Sequence, residues 1–325
     1  MALLADARPA QQRPSDSRRQ RVSRWHRLDI KVSPYLYIAP FFVVFGIFGL
    51  FPLLYTGYLS LTAWRDDTAG SEGKWNGVAN YVKLLHDDLF WNALKNTIAI
   101  GLISTVPQLL MALGLAHMLN YRLRGRTFFR MSVLVPNVTS VAAVTIIFTQ
   151  LFGRDYGLIN WFLGLFGIHN LDWQAGTWSS WIAISVIVTW RWTGYNALIY
   201  LAGMQAIPFE LYESAALDGA SRWRQFRSIT IPMLRPTILF TVIVSTIGAL
   251  QLFGEPLLFN VSQTPTAGGS QHQFQVTAVY TYQTFLGNGS YGYGAALSWA
   301  MFAIIVIIVS VNLLLARRLR GVEGS

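Results

Sequence analysis

Long uncharged stretches alternate with short charged ones along this chain. No Asp, Glu, Lys or Arg occurs from Val32 to Trp64, from Asn96 to Tyr121 or from Met131 to Gly153. The same holds on either side of Arg191 (Trp173 to Trp190, Trp192 to Phe209) and from Pro236 to Gly254. Beyond Glu255 no charge returns until Arg317, although Ser262 to Gly294 is rich in Gln, Thr, Ser and Gly. A helix needs about 20 apolar residues to cross a hydrocarbon core of about 30 Å. The pattern therefore predicts six membrane helices, over about 35–62, 96–120, 131–152, 180–204, 236–254 and 295–316. The run Tyr156 to Gly167 is too short to span and predicts an interfacial helix. The expected fold class is all-α integral membrane protein.

Composition supports this reading. Of 325 residues, 53% are hydrophobic and only 12% charged. A soluble protein so poor in charge would expose large apolar patches, and a disordered chain would leave too much apolar surface wet. The net charge of +10 admits either nucleic-acid binding or membrane topology, and its placement decides. Nineteen of the 25 Lys and Arg lie in the N-terminal stretch to Lys31, in the second-to-third and fourth-to-fifth connections, and after the last span. The opposite connections carry Asp66, Asp67, Glu72, Asp87, Asp88, Asp155 and Asp172 with few basic residues. This alternation follows the positive-inside rule and puts both termini in the cytoplasm. No basic stripe remains for nucleic acid.

The expected organisation is a disordered basic cytoplasmic tail over 1–31, a six-helix domain over 32–316 with a cytoplasmic loop at 205–235, and a C-terminal tail over 317–325. The N-terminal segment is not read as a signal peptide, because its basic stretch and apolar run are both too long and no small-residue cleavage site follows. With no Cys, disulfides, thiolate metal sites and a Cys nucleophile are excluded. No His or carboxylate pair has metal spacing and no Ser-His-Asp set is visible, so catalysis and a metal site are not expected. His117, near the end of the second span, reads as an interface residue.

The fourth-to-fifth connection is the most informative segment. Ile207 to Ala220 reads as a short helix, with Pro208 suited to its first turn and Glu210 and Glu213 near the positive end of its dipole. Asp218-Gly219 stops the helix, Gly being free to take positive φ. A second short helix, Ser221 to Ile229, would stack Trp223 and Phe226, and Pro232 and Pro236 would close the loop. Such a segment is either an amphipathic helix lying on the inner leaflet or a helix docking on a partner.

At these residues the chain resembles a family. Glu213-Ser214-Ala215, Asp218-Gly219-Ala220, Phe226, Ile229 and Ile231-Pro232 are similar to the EAA loop of binding-protein-dependent ABC importers, in particular the maltose-type carbohydrate permeases. Ser214 stands where Ala is usual, and Ile231 where Leu usually precedes the Pro. The resemblance extends to Pro40, Pro52, Gly77 to Tyr81, Trp91 to Thr97, Gly125 to Arg130 and Tyr291 to Leu297, and more weakly to Gly268-Gly269-Ser270. Trp190 to Asn196 and Gln251 to Pro256 look most like actinobacterial cellobiose-type permeases. The resemblance implies a six-helix type I importer permease of the bacterial cell membrane. It would carry a di- or oligosaccharide, with cellobiose as the candidate that the finer match suggests. Its partners would be a second homologous permease, two ATPase subunits and an extracytoplasmic sugar-binding protein. Glu213, Ser214, Ala215, Asp218, Gly219, Ala220 and Pro232 would couple it to the ATPase. No G-x-x-x-x-G-K-[ST] loop occurs, so the chain itself would hold no cofactor; ATP and Mg would be bound by the partner.

Sugars need aromatic faces and fixed hydrogen-bonding groups. The fourth span offers Trp190, Arg191, Trp192, Tyr195 and Asn196. A lone Arg costs about 2.5–3.5 kcal/mol at a helix centre, so Arg191 is either part of a substrate path, paired structurally with Glu255, or snorkelling to an interface. Gly248, Gln251, Gly254 and Glu255 fall at helical spacing in the fifth span. The resemblance implies sugar contacts at Gly194, Gly248 and Gln251; close helix packing is the competing role for Gly248 and Gly254. A proton-coupled transporter would want intramembrane carboxylates and inverted repeats, and the spans contain essentially no carboxylates.

Overall fold

In the computed structural model, residues 24–70, 72–121, 124–168, 171–259 and 268–321 are described, with side chains from 33 to 314. The described residues form helices and no strand; a lone antiparallel bridge joins Thr62 and Trp75. The first helical run comprises α1 (Arg24–Phe45), a π turn (Gly46–Leu50) and α2 (Phe51–Ser60). Residues up to Tyr55 make a unit by themselves and Thr56 onward makes the second. Helix begins at Arg24, so the end of the stretch expected as a tail is helical; residues 1–23 of that tail lie outside the described residues. The π turn has a local cause. Pro52 has no N–H and its ring crowds the carbonyl four residues back, so Phe51 donates five residues back, to Gly46. The same device recurs before Pro232, where Ile231 donates to Phe226 across the π turn Phe226–Thr230.

The second unit is built around two long helices. After α3 (Ala79–Leu85), α4 (Asp88–Asn120) begins eight residues before the expected span. Asp87 explains the early start: its carboxylate accepts the N–H groups of Leu89 (3.0 Å) and Phe90 (3.3 Å). It also accepts the hydroxyls of Tyr280 (2.5 Å) and Tyr293. Burial pushes this carboxyl up, but those four donors outweigh it and hold Asp87 below the ordinary Asp range. α9 (Thr177–Gln205) packs along α4 over most of its length. Small and hydroxyl residues make the approach close: Ala112 and Ala116 are fully buried, and Ser185 and Thr189 donate to the carbonyls of Ile100 (3.3 Å) and Ser104 (3.2 Å).

Four described stretches are long and apolar enough to cross a bilayer: Ser33–Ser60, Asp88–Asn120, Arg235–Leu258 and Tyr291–Leu314. The expected third span is broken. α5 (Arg126–Ser132), α6 (Val135–Val138) and α7 (Val141–Leu151) replace one straight helix, with an 88° bend. Pro136 is accommodated in the first turn of α6, with Val138 and Thr139 N–H donating to Leu134 and Val135, and the chain turns at Thr139 and Ser140, whose ψ values of 144° and 130° leave the helical region. The expected fourth span, α9, is 29 residues long but less apolar than the others, because fifteen of its residues are buried against protein rather than lipid. α8 (Leu158–Gly164) is the short helix expected between them.

After α10 (Glu210–Leu217), α11 (Arg222–Gln225) and α12 (Ile231–Met233) comes α13 (Arg235–Leu250), which stops before the expected end of the fifth span. The chain restarts as α14 (Gly254–Leu258) after Phe253 at φ −138°, ψ −56°. Pro256 accounts for the break, since a continuous helix would drive its ring into the carbonyl of Leu252. α15 (Thr277–Tyr282), a π turn (Gln283–Gly287) and α16 (Tyr291–Gly321) complete the chain. α16 meets no breaker before Gly321, so most of the expected C-terminal tail continues the helix. Asn92, Asn96 and Thr97 of α4 hold the segment before α15: both Asn amides donate to the His272 carbonyl (2.9 Å each), and Thr277 N–H donates to Thr97 (2.9 Å).

Candidate functional site

The loop between α9 and α13 carries an exposed helix with a specified stop. None of α10 is buried; Leu217 is 90% exposed. Its C-terminus is a Schellman motif: Ala220 N–H donates to Ala215 (2.9 Å), Gly219 N–H to Ala216 (3.1 Å), and Gly219 has φ +76°. Ser221 then caps α11 by accepting from Arg224 N–H (3.4 Å). Asp218, Gly219 and Ala220 thus have a backbone reason for their order. Glu213, Ser214 and Asp218 stand exposed, and the Tyr212 hydroxyl meets Thr230 (2.9 Å), tying α10 to the helical run that leads into α13.

Two expectations about this loop change. The second helix does not end at Ile229, and Pro232 does not close the loop. Arg222 to Met233 is an almost continuous helical run that absorbs Pro232 through the π turn. Trp223 and Phe226 do meet, with centroids 5.6 Å apart, though their planes are tilted by 32° rather than stacked. His117, expected only as an interface residue, packs on Phe226 (4.3 Å between centroids) and is hydrogen-bonded to Tyr121 (3.0 Å). Tyr121 lies four residues on, so this pairing was visible in the spacing. The long-range partner was not. A cavity of about 780 Å³ opens between these rings and α10, lined by Tyr212, Glu213 and Arg222 among others.

The mid-helix residues divide by exposure. Arg191 and Glu255 are 6% and 4% exposed and form a hydrogen-bonded ion pair. The paired arrangement, left open by the sequence, is the one observed. Gly194 is a packing site: a Cβ there would lie 1.7 Å from the carbonyl oxygen of Val133. Asn196 is buried and its amide donates to the Trp192 carbonyl (3.3 Å). Gly254 abuts Val141, where a Cβ would come within 2.8 Å of Cγ1, so the break before α14 meets the bend before α7. The stripe expected from Gly248 through Glu255 is therefore not one helix face, because the helix ends at Leu250.

Gly248 behaves oppositely to Gly194. Nothing lies within 4 Å of its added Cβ, which removes close packing within this chain as its role. It stands exposed with Gln251, Trp190, Trp192 and Tyr195. Trp192 and Tyr195 meet edge to face at 5.8 Å, and Trp190 leans on Phe148 of α7 at 5.3 Å. Two residues apart on one helix, Trp190 and Trp192 face nearly opposite sides of α9, so the exposed aromatics divide into a Trp192–Tyr195 face and a Trp190–Phe148 face. No group of three or more His, Cys, Asp or Glu able to hold a metal occurs among the described residues.

An all-α membrane protein with broken spans and an exposed, capped helix in a polar loop has the features of a transport subunit. Residues 108–321 match the family described as binding-protein-dependent transport system inner membrane component, and the chain belongs to that family. It is 37% identical to the lactose transport system permease protein LacF of Rhizobium radiobacter over 290 residues, covering 88% of this chain and 94% of the relative. It is 32% identical to the trehalose/maltose transport system permease protein MalF of Thermococcus litoralis, covering 87% and 93%. Its fold is similar to a chain of a bacterial ABC transporter involved in the import of the acidic polysaccharide alginate. That match has a TM-score of 0.76 at 24% identity and covers 90% of this chain and 98% of the other.

Proposed function

We propose that this chain is the permease subunit of an ATP-driven sugar importer that forms half of the translocation path for a di- or oligosaccharide, cellobiose being one candidate. The carrying observation is the exposed helix α10 with its glycine-dependent stop. A helix with no buried residue, held to the run before α13 through Tyr212, is suited to seat on a separate subunit. That subunit is an ATPase, which binds ATP and Mg and supplies the hydrolysis this chain lacks a phosphate loop to perform. Glu213, Ser214, Ala215, Asp218, Gly219 and Ala220 form the seat, and Pro232 stiffens the run behind it. ATPase closure rocks this subunit against a homologous permease and turns a shared cavity from outside to inside. Both termini and the coupling loop face the cytoplasm, as the charge asymmetry requires, and an external binding protein delivers the sugar.

Sugar as the cargo is supported by the lactose and trehalose/maltose systems to which the relatives belong and by the exposed Trp190, Trp192, Tyr195 and Gln251. In the reconstituted importer, Gln251→Ala is expected to lower uptake roughly tenfold, the scale of one or two lost hydrogen bonds, with assembly unchanged. Radiolabelled cellobiose, lactose and maltose serve as probes. Full uptake of the transported probe by the variant would place the path elsewhere.

A further inference from the structure

Arg191 is the middle residue of α9, with fourteen residues on each side. Among the described residues, the other charges of the long helices lie near an end: Arg24, Arg27, Asp29 and Lys31 at the start of α1, Asp88 and Lys95 early in α4, Arg235 at the start of α13, and Arg317, Arg318 and Arg320 at the end of α16. Glu255 is the sole acidic partner of Arg191 among the described residues, and the buried guanidinium Nε has no acceptor. One carboxylate therefore cancels one cation, deep in the protein. The exposed residues on either side of Arg191 in α9 (Trp190, Trp192 and Tyr195) and those at the end of α13 (Gly248 and Gln251) are all uncharged.

We propose that the Arg191–Glu255 pair holds the translocation path electrically neutral and so selects uncharged carbohydrate, an inference that rests on the sugar-importer reading above. A bare guanidinium at this depth would favour a carboxylated or sulfonated sugar, and a bare carboxylate would repel it. With both present and joined, an anionic sugar meets no net cation to offset its desolvation. A neutral one loses nothing and keeps the aromatic faces and the Gln251 amide. The pair acts through the field it removes rather than by touching the sugar.

The chain has no cysteine, so Gln251→Cys introduces a single thiol at the exposed break. In the assembled importer, its reaction rates with an anionic methanethiosulfonate (sulfonatoethyl) and a cationic one (trimethylammonioethyl) are compared as a ratio, read on this subunit. Adding Glu255→Gln should raise the anionic-to-cationic ratio about tenfold, and adding Arg191→Met should lower it about tenfold, as expected for one unscreened charge near the thiol. Removing both charges together should restore the parent ratio, an outcome that a purely packing role would not give. The two single-charge variants are read independently, so loss of one from the membrane leaves the other to decide. Ratios unmoved by either change would overturn the proposal. Failure of Gln251→Cys to react even with uncharged N-ethylmaleimide would instead remove Gln251 from the path, and the proposal with it.

Discussion

Gly194→Ala is expected to remove the folded subunit from the membrane, while Gly248→Ala leaves its amount and unfolding temperature unchanged. Both are glycines of the apolar core sequence and both resemble sugar-contact positions, yet their surroundings are opposite. A Cβ at Gly194 would sit 1.7 Å from the Val133 carbonyl oxygen and 2.6 Å from its carbon. These are backbone atoms in the short connection between α5 and α6, so no rotamer change relieves the clash. The helix α9 must move away from that connection. Overpacking by a single group costs about 1–3 kcal/mol where side chains can yield, and about 3 kcal/mol or more is expected here, a large share of total stability. Thermal unfolding of the detergent-purified protein measures it. A Gly194→Ala protein with parental unfolding temperature would show that the bend of the third span does not rest on this contact.

The buried ion pair gives the second large effect. Glu255→Leu alone should destabilise by about 3–5 kcal/mol, because it strands a guanidinium that is 8% exposed in its side chain. Arg191→Met with Glu255→Leu should recover nearly all of that loss, since two apolar residues of similar volume often replace a buried pair at no cost. Denaturant unfolding of the two variants reads the difference. Equal destabilisation of the single and double variants would mean that the pair contributes through shape rather than charge.

These contrasts show where sequence pattern was informative. The six apolar runs, the short helix near Leu158 and the stop at Asp218-Gly219 were legible, because apolar length, turn chemistry and positive φ are local properties. The Schellman bonds of Ala220 and Gly219 need nothing beyond the residues between 215 and 220. The breaks in the third and fifth spans were not legible, although Pro256 marks the second. An apolarity count does not weigh the missing proline N–H, and the abutment of Gly254 on Val141 joins segments more than a hundred residues apart. For the same reason the sequence left Arg191 with three possible roles, and assigned Gly194 and Gly248 alike. Burial separates them: Gly194 is pressed against backbone, Gly248 is open, and Arg191 is paired.

Under the proposed function this chain transports by coupling to a separate ATPase through the exposed loop. Gly219 isolates that role. Its φ of +76° costs a residue with a Cβ about 1–2 kcal/mol, while the space around it is open, so a substitution disturbs the stop of α10 and leaves the packed helices alone. The deciding measurement is sugar moved per ATP hydrolysed by the reconstituted importer in proteoliposomes, for the parent, Gly219→Val and Gly219→Asn. Asn tolerates this backbone and should keep the parental ratio. Val should lower the ratio at least tenfold while hydrolysis continues and the subunit stays assembled. A parental ratio for Gly219→Val would contradict the coupling role of the loop.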